Sequence, residues 1–116
     1  MHDFKIVAEN PERRTFSILI GETSRFFAGH FPGRPVLPAI AHLAIVARLL
    51  QRSLGEDARI VAIERLRMMK TVLPGDHLEI RIIPIEDDPD PAARFTIDRR
   101  ADRVGEGILR WARAVP

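Results

Sequence analysis

The chain has 116 residues, 46% of them hydrophobic and 29% charged, values that are ordinary for a single globular domain spanning residues 1–116 and that exclude a mainly disordered chain. It contains no cysteine, which excludes disulfides, thiolate zinc sites and a cysteine nucleophile. The formal net charge is only +2, and no basic run is interleaved with aromatic residues, so we expect no nucleic-acid partner.

Membrane insertion and secretion are also not expected from the sequence. The longest apolar stretch, Leu43–Ala47, is far shorter than the ~20 residues that a membrane-spanning helix needs. The first residues carry early charges and no apolar signal core. The expected location is therefore the cytoplasm, with no membrane span.

Two strands are predicted at the start of the chain, at Phe4–Ala8 and Thr15–Ile20. In the second, Phe16, Ile18 and Ile20 alternate with the other three residues, the pattern of a strand with one buried face.

A helix is predicted next, from about Pro38 to Ser53. Proline is favoured at a first helical position, and Gly55 is a suitable C-terminal stop. The first two turns are apolar all round except for His42, which predicts a helix that is buried on every side by a sheet wrapped around it.

The rest of the chain reads as strands. They are predicted at Arg59–Lys70, His77–Ile85, Ala93–Arg99 and Gly107–Arg113, with turns at Val72–Asp76 and Asp87–Pro91. The order of two strands, one long helix and four strands predicts an α+β fold with one helix against an antiparallel sheet.

The segment before the helix has the composition of a rigid site. His30 lies among phenylalanines, and Pro32, Pro35, Pro38 and Gly33 restrict the backbone to extended and turn conformations. Histidine exchanges a proton near neutral pH. Free N–H groups at the helix start, around Ala39 and Ile40, could polarise a carbonyl oxygen. This combination suits chemistry α to a thioester.

Gly29–Pro38, here called the signature segment, reads GHFPGRPVLP and is similar to the His-Phe-Pro-Gly-x-Pro-x-x-Pro motif of the β-hydroxyacyl-acyl-carrier-protein dehydratases. KTVLPGDHL at Lys70–Leu78 resembles the family's Pro-Gly-Asp turn, and GEGILRWA fits its closing strand. The resemblance implies a hot-dog fold, in which an antiparallel sheet wraps one long central helix. It also implies that His30 removes the C2 proton of a 3-hydroxyacyl thioester, and that Phe31, Gly33, Pro38, Ala39, Ile40 and Arg48 contact the substrate.

The chain departs from the family's pattern on the helix. The resemblance implies a carboxylate fourteen residues after the histidine, supplied to the site by the other subunit of a dimer, but that position is Ala44. Arg48 replaces the usual glutamine and could hold a substrate carboxylate or stabilise a leaving hydroxyl. His42 lies about 200° around the helix from Ala44, so it is interpreted as a core histidine rather than a direct replacement.

The function implied is a hydro-lyase (a lyase of fatty-acid or polyketide-type synthesis) that forms a trans-2-enoyl thioester. The alternative is a non-catalytic or half-site subunit that binds acyl chains or pairs with a second dehydratase-like subunit. Thioester hydrolysis on the same fold is a third interpretation. We expect an acyl carrier protein or acyl-CoA as partner, a homodimer or heterodimer, no metal, and no cofactor beyond the phosphopantetheine carried by the substrate. Met68 and Met69 either pack in the core or line an acyl tunnel.

Overall fold

The computed structural model describes residues 4–21, 37 and 39–114 of the chain. Within them lie six strands, one α-helix and a short 3-10 helix at Pro11–Arg13. In chain order the elements are β1 (Phe4–Asn10), β2 (Thr15–Ile20), α1 (Ala39–Leu54), β3 (Ala58–Met68), β4 (His77–Pro84), β5 (Ala92–Arg99) and β6 (Asp102–Arg113). The α+β prediction is confirmed.

The strands form one antiparallel sheet in the order β1-β2-β4-β5-β6-β3. The alternation predicted for β2 is confirmed, because Phe16, Ile18 and Ile20 are buried. They join a core to which β4, β5 and β6 contribute Ile80, Phe95 and Leu109. Strands β1 and β3 are the two edges of the sheet.

The helix covers this core with one face only. Its buried residues are Ala41, His42, Ile45, Val46, Leu49 and Leu50. Ile40 is 73% exposed, and Ala44 and Arg48 on the same side are exposed as well. The prediction of a helix buried on every side is therefore wrong, because the sheet within one protomer reaches only one side of α1. Alanine counts as apolar in a sequence pattern, but it exposes little apolar surface to water and is tolerated on a solvent-facing helix side. The sequence pattern therefore overestimated how much of the helix is buried.

Strand β6 begins at Asp102, five residues before the predicted start at Gly107. Its two glycines lie inside the strand because neighbouring side chains occupy the space above them. A Cβ at Gly105 would lie 2.6 Å from the Met68 Sδ, and one at Gly107 would lie 2.7 Å from the Phe95 Cε1. Both glycines are thus required by close approach, not by a turn.

Candidate functional site

Most of the signature segment lies outside the described residues. His30, Phe31, Gly33 and Pro38 are in this group, as is the start of the helix at Pro38. Leu37 is described, and it fixes where the segment ends in the fold. The Leu37 N–H donates a 2.8 Å hydrogen bond to the Val72 carbonyl oxygen, and both side chains are buried.

A cleft of about 220 Å³ opens beside this point. It lies between the first turn of α1 and the chain that leaves β3. We call it the α1 cleft, and its lining residues are Leu37, Ala39, His42, Met68, Met69, Lys70 and Thr71. Four of these seven residues have apolar side chains, and the polar three are His42, Lys70 and Thr71.

The Pro-Gly-Asp turn follows in sequence the segment that lines the cleft. The Asp76 carboxylate accepts a 2.9 Å hydrogen bond from the Leu73 N–H, and Gly75 adopts a φ of 85°. The Arg99 Nη1 donates to both Asp76 Oδ2 and the Thr71 carbonyl, each at 2.8 Å. One guanidinium from β5 therefore ties the turn to the segment that lines the cleft. No sequence signal distinguished Arg99 from the other arginines.

The structure separates the predicted helix residues. Ala39 lines the α1 cleft, and its role as a substrate contact stays a prediction. Ile40 and Arg48 are exposed, and neither lines the cleft. Ala44 is also exposed and outside it. Ile40 and Arg48 lie on the helix face that turns away from the sheet within one protomer, and their substrate-binding roles stay predictions.

His42 is both a core residue and a cleft residue. Its side chain is 3% exposed, which agrees with the core interpretation, and it also lines the α1 cleft. The argument from helix geometry placed His42 opposite Ala44 correctly. It did not reveal which of the two faces turns toward the cleft.

The packing predicted for Met68 is confirmed, and its place in an acyl tunnel stays a prediction. Met68 is partly buried against the hydrophobic core and lines the cleft, with Gly105 directly opposite on β6. Met69, 42% exposed, lines the same wall.

Glu64 on β3 is an acid that pairs with an arginine of the neighbouring strand β6. Its carboxylate accepts a 2.9 Å hydrogen bond from Arg110, which also contacts Asp88 at 3.0 Å. These two carboxylates raise the pKa of the Arg110 guanidinium, with the Glu64 hydrogen bond as the larger cause. Glu64 is therefore held in a surface ion network and does not line the cleft.

Among the described residues, no group of three or more histidine or carboxylate side chains is placed to hold a metal ion. None of the helices described is long and apolar enough to cross a membrane.

Comparison with known proteins identifies the family. Residues 7–107 match the model of the ApeI-like family, described as ApeI dehydratase. The chain belongs to this family of hot-dog dehydratases. It is also 38% identical over 98 residues to a 3-hydroxyacyl-acyl-carrier-protein dehydratase FabZ of Roseiflexus sp., an alignment that covers 78% of this chain and 59% of that protein. The chain spans about half the length of the curated relatives it matches.

Solved structures confirm the hot-dog fold. The dehydratase heterocomplex ApeI:P from Xenorhabdus doucetiae contains a chain with a TM-score of 0.80 at 24% identity, covering 97% of this chain and 100% of that one. The fluoroacetyl-CoA thioesterase FlK has a TM-score of 0.62 at 13% identity, covering 84% of this chain and 82% of that one. Dehydratases and thioesterases thus share this architecture, and the site must decide between them.

Proposed function

We propose that this protein is a hydro-lyase that removes water from a 3-hydroxyacyl thioester. The observation that carries the proposal is the α1 cleft. Four of its seven lining residues are apolar, it adjoins the first turn of the helix, and Leu37, the next-to-last residue of the signature segment, is part of its lining. An acyl chain and a thioester carbonyl would each find a matching surface there.

In the reaction, His30 accepts the C2 proton of the substrate. The electron pair of the C2–H bond forms the C2=C3 double bond, and the bond from C3 to the hydroxyl oxygen breaks with its electrons on oxygen. That oxygen takes up a proton from solvent and leaves as water, while His30 returns its proton to solvent. Free N–H groups in the first turn of α1, around Ala39 and Ile40, stabilise the negative charge that develops on the thioester oxygen. The protein needs no cofactor of its own in this scheme, because the phosphopantetheine arrives with the substrate.

The carrier is an acyl carrier protein or coenzyme A, and the pathway is of the fatty-acid or polyketide type in the cytoplasm. Lys70 supports a phosphate-bearing or acidic carrier. It lies in the cleft lining, its side chain is 46% exposed, and its nearest acid, Asp102, is 3.6 Å away. An ion pair that long and exposed is weak and can exchange partners.

The functional unit in this proposal is a dimer, either of two copies or of this chain with a related subunit. Strand β3 lies at one edge of the sheet formed by the described residues, and its Val61 and Leu66 are 64% and 38% exposed. The helix α1 also exposes Ile40, which is next in sequence to the cleft residue Ala39. Apolar side chains on a free edge favour pairing with another strand. Light scattering at micromolar concentration tests this point, since a stable monodisperse monomer would contradict it.

Incubation of the pure protein with 3-hydroxyacyl carrier proteins and 3-hydroxyacyl-CoA tests the reaction. Mass spectrometry should detect loss of water. His30→Ala should abolish it while the protein stays folded, whereas His77→Ala, a change at an exposed histidine on β4, should have no effect. A His30→Ala protein with more than about a tenth of the wild-type rate would contradict the assignment, because removing a general base costs about 10²–10⁴-fold.

A second candidate is the half-site subunit, which binds acyl chains and depends on a related chain for its acid. The alanine at position 44 favours it. A protein that binds acyl thioesters but releases water only after a second hot-dog subunit is added would establish this alternative.

A further inference from the structure

We propose that Arg99 on β5 is a positioning residue for the α1 cleft. It acts through the turn at Val72–Asp76, here called the anchor turn. The inference rests on the proposed function, because it concerns the place where an acyl thioester would bind. Arg99 is not among the residues that line the cleft, so its effect on a bound acyl chain is transmitted by the residues that it holds.

The anchor turn is hydrogen-bonded to the chain at the end of β2 and just before α1. The Gly75 N–H donates a 3.0 Å bond to the carbonyl oxygen of Ile20, the last residue of β2. The Ile20 N–H donates a 2.9 Å bond to the Asp76 carbonyl oxygen. The Val72 carbonyl oxygen accepts the 2.8 Å bond from the Leu37 N–H. One short turn therefore fixes where the chain leaves β2 and where it reaches the helix.

The anchor turn also determines the position of part of the cleft wall. Thr71 directly precedes the turn and lines the cleft, and Leu37, which the turn holds, lines it as well. The Val72 side chain between these two contacts is fully buried in the core. A displacement of the turn would thus move two of the seven lining residues together.

Arg99 braces the anchor turn from the neighbouring sheet. Its Nη1 donates 2.8 Å bonds to the Thr71 carbonyl oxygen and to Asp76 Oδ2, which lie on the two sides of the turn. Asp76 Oδ2 also accepts a 2.9 Å bond from the Leu73 N–H inside the turn. Hydrogen bonds between charged groups are roughly twice as strong as neutral ones. The guanidinium therefore holds the shape of the turn, and the turn holds Leu37 and Thr71 in the cleft wall.

Arg103 on β6 provides a matched control. Its Nε donates a 2.6 Å bond to Asp98 Oδ1, and its Nη1 donates a 2.9 Å bond to Glu106 Oε1. None of these three residues lines the cleft or belongs to the anchor turn. Arg103→Gln thus removes two ionic contacts from the same pair of strands without reaching the cleft wall.

Backbone amide hydrogen exchange of Arg99→Gln, Arg99→Lys and Arg103→Gln, measured well below each Tm, tests the bracing directly. In Arg99→Gln we expect the Ile20, Leu37 and Gly75 amides to exchange at least about tenfold faster, the smallest effect that losing bonds to a charged group normally has. The amide of Leu109, in the core of the sheet, should change much less. Arg103→Gln should leave this ratio unchanged. Arg99→Lys keeps a charged donor and should fall between Arg99→Gln and wild type.

Calorimetric titration with a saturated acyl-CoA, which has no hydroxyl group to lose, tests the consequence for binding. Arg99→Gln should raise the Kd by about tenfold, because a wall that is correctly placed for only part of the time weakens the apparent affinity in proportion. Arg103→Gln should stay within about twofold of wild type. With 3-hydroxyacyl-CoA as substrate, KM should change in the same order across the three variants.

The outcomes separate this inference from the proposed function. A wild-type protein that binds saturated acyl-CoA but never releases water from 3-hydroxyacyl-CoA would end the proposed function, while the expected changes in exchange and Kd would still establish the positioning role. Equal changes in Arg99→Gln and Arg103→Gln would overturn the inference, because they would show a loss of general stability. Faster exchange at the anchor turn with an unchanged Kd would overturn it too, since Arg99 would then stabilise the fold without placing the cleft wall.

Discussion

Gly105 should set the depth of the α1 cleft, and Gly105→Ala tests this. The new Cβ would lie 2.6 Å from the Met68 Sδ and 2.9 Å from its Cε. Ordinary contacts of this kind are ~3.5–4.0 Å, so the methionine tip must retreat by about 1 Å. Gly105 lies on the sheet beneath Met68, so the open direction for this movement is into the cleft that Met68 lines.

The expected effect is a shift in acyl-chain preference. A retreat of about 1 Å displaces roughly one substrate methylene, whose burial contributes about 0.8 kcal/mol. That energy corresponds to about a fourfold rise in KM for the longest chain that fits. Chains too short to reach Met68 should be unaffected. The assay measures kcat/KM over a series of 3-hydroxyacyl-CoA substrates that differ by two carbons.

Gly107→Ala is the matched control two residues along β6. Its Cβ would lie 2.7 Å from the ring of Phe95, which is fully buried and does not line the cleft. Overpacking at such a site costs about 1–3 kcal/mol of stability. We expect Gly107→Ala to lower Tm without changing acyl-chain preference. We expect Gly105→Ala to change acyl-chain preference without lowering Tm. An unchanged chain-length profile in Gly105→Ala would refute the assignment of Met68 and Gly105 to the acyl end of the cleft.

Three further predictions concern other contacts. Arg99→Gln should lower the free energy of unfolding by about 1.5–3 kcal/mol and raise KM, because it removes charge-assisted bonds to Asp76 and the cleft wall; an unchanged denaturation midpoint would contradict this. The Arg52 hydrogen bond lowers the pKa of the Glu9 carboxyl below 4.5, so its stabilisation is present above pH 4.5 and is lost as pH falls through the folded-state value. Arg52→Gln should therefore lower Tm at pH 7 but not at acid pH, and a difference that persists in acid would show another cause. If the chain is a half-site subunit, Ala44→Glu should raise the rate of water loss by the isolated homodimer, because it adds an acid on the exposed face of α1; an active wild-type protein whose Ala44→Glu variant is slower would refute the half-site alternative.

The sequence predicted the elements well where one local signal dominates. Alternation located β2, and the sequence placed the end of α1 within one residue of Leu54. The start of β6 was predicted five residues late, at Gly107 instead of Asp102. Only cross-strand neighbours show that Gly105 lies inside a strand to make room for Met68.

The predicted site residues fall into those that line the α1 cleft, those that lie outside it, and those that lie outside the described residues. The family resemblance suggested Ala39 as a contact, and the cleft lining includes it. The resemblance also suggested Ile40 and Arg48, which lie outside the cleft within one protomer. His30, Phe31, Gly33 and Pro38 lie outside the described residues, so their roles stay predictions.

By itself, the sequence determined the fold class, the order of the elements, the family and the absence of a carboxylate at position 44. These properties follow from local periodicity and from motifs that are contiguous in the chain. Only the tertiary structure decided which face of α1 meets the cleft, and therefore that His42 lines it while Ala44 does not. Helix periodicity fixes the angle between two side chains, but the side on which the sheet packs depends on contacts between residues far apart in sequence.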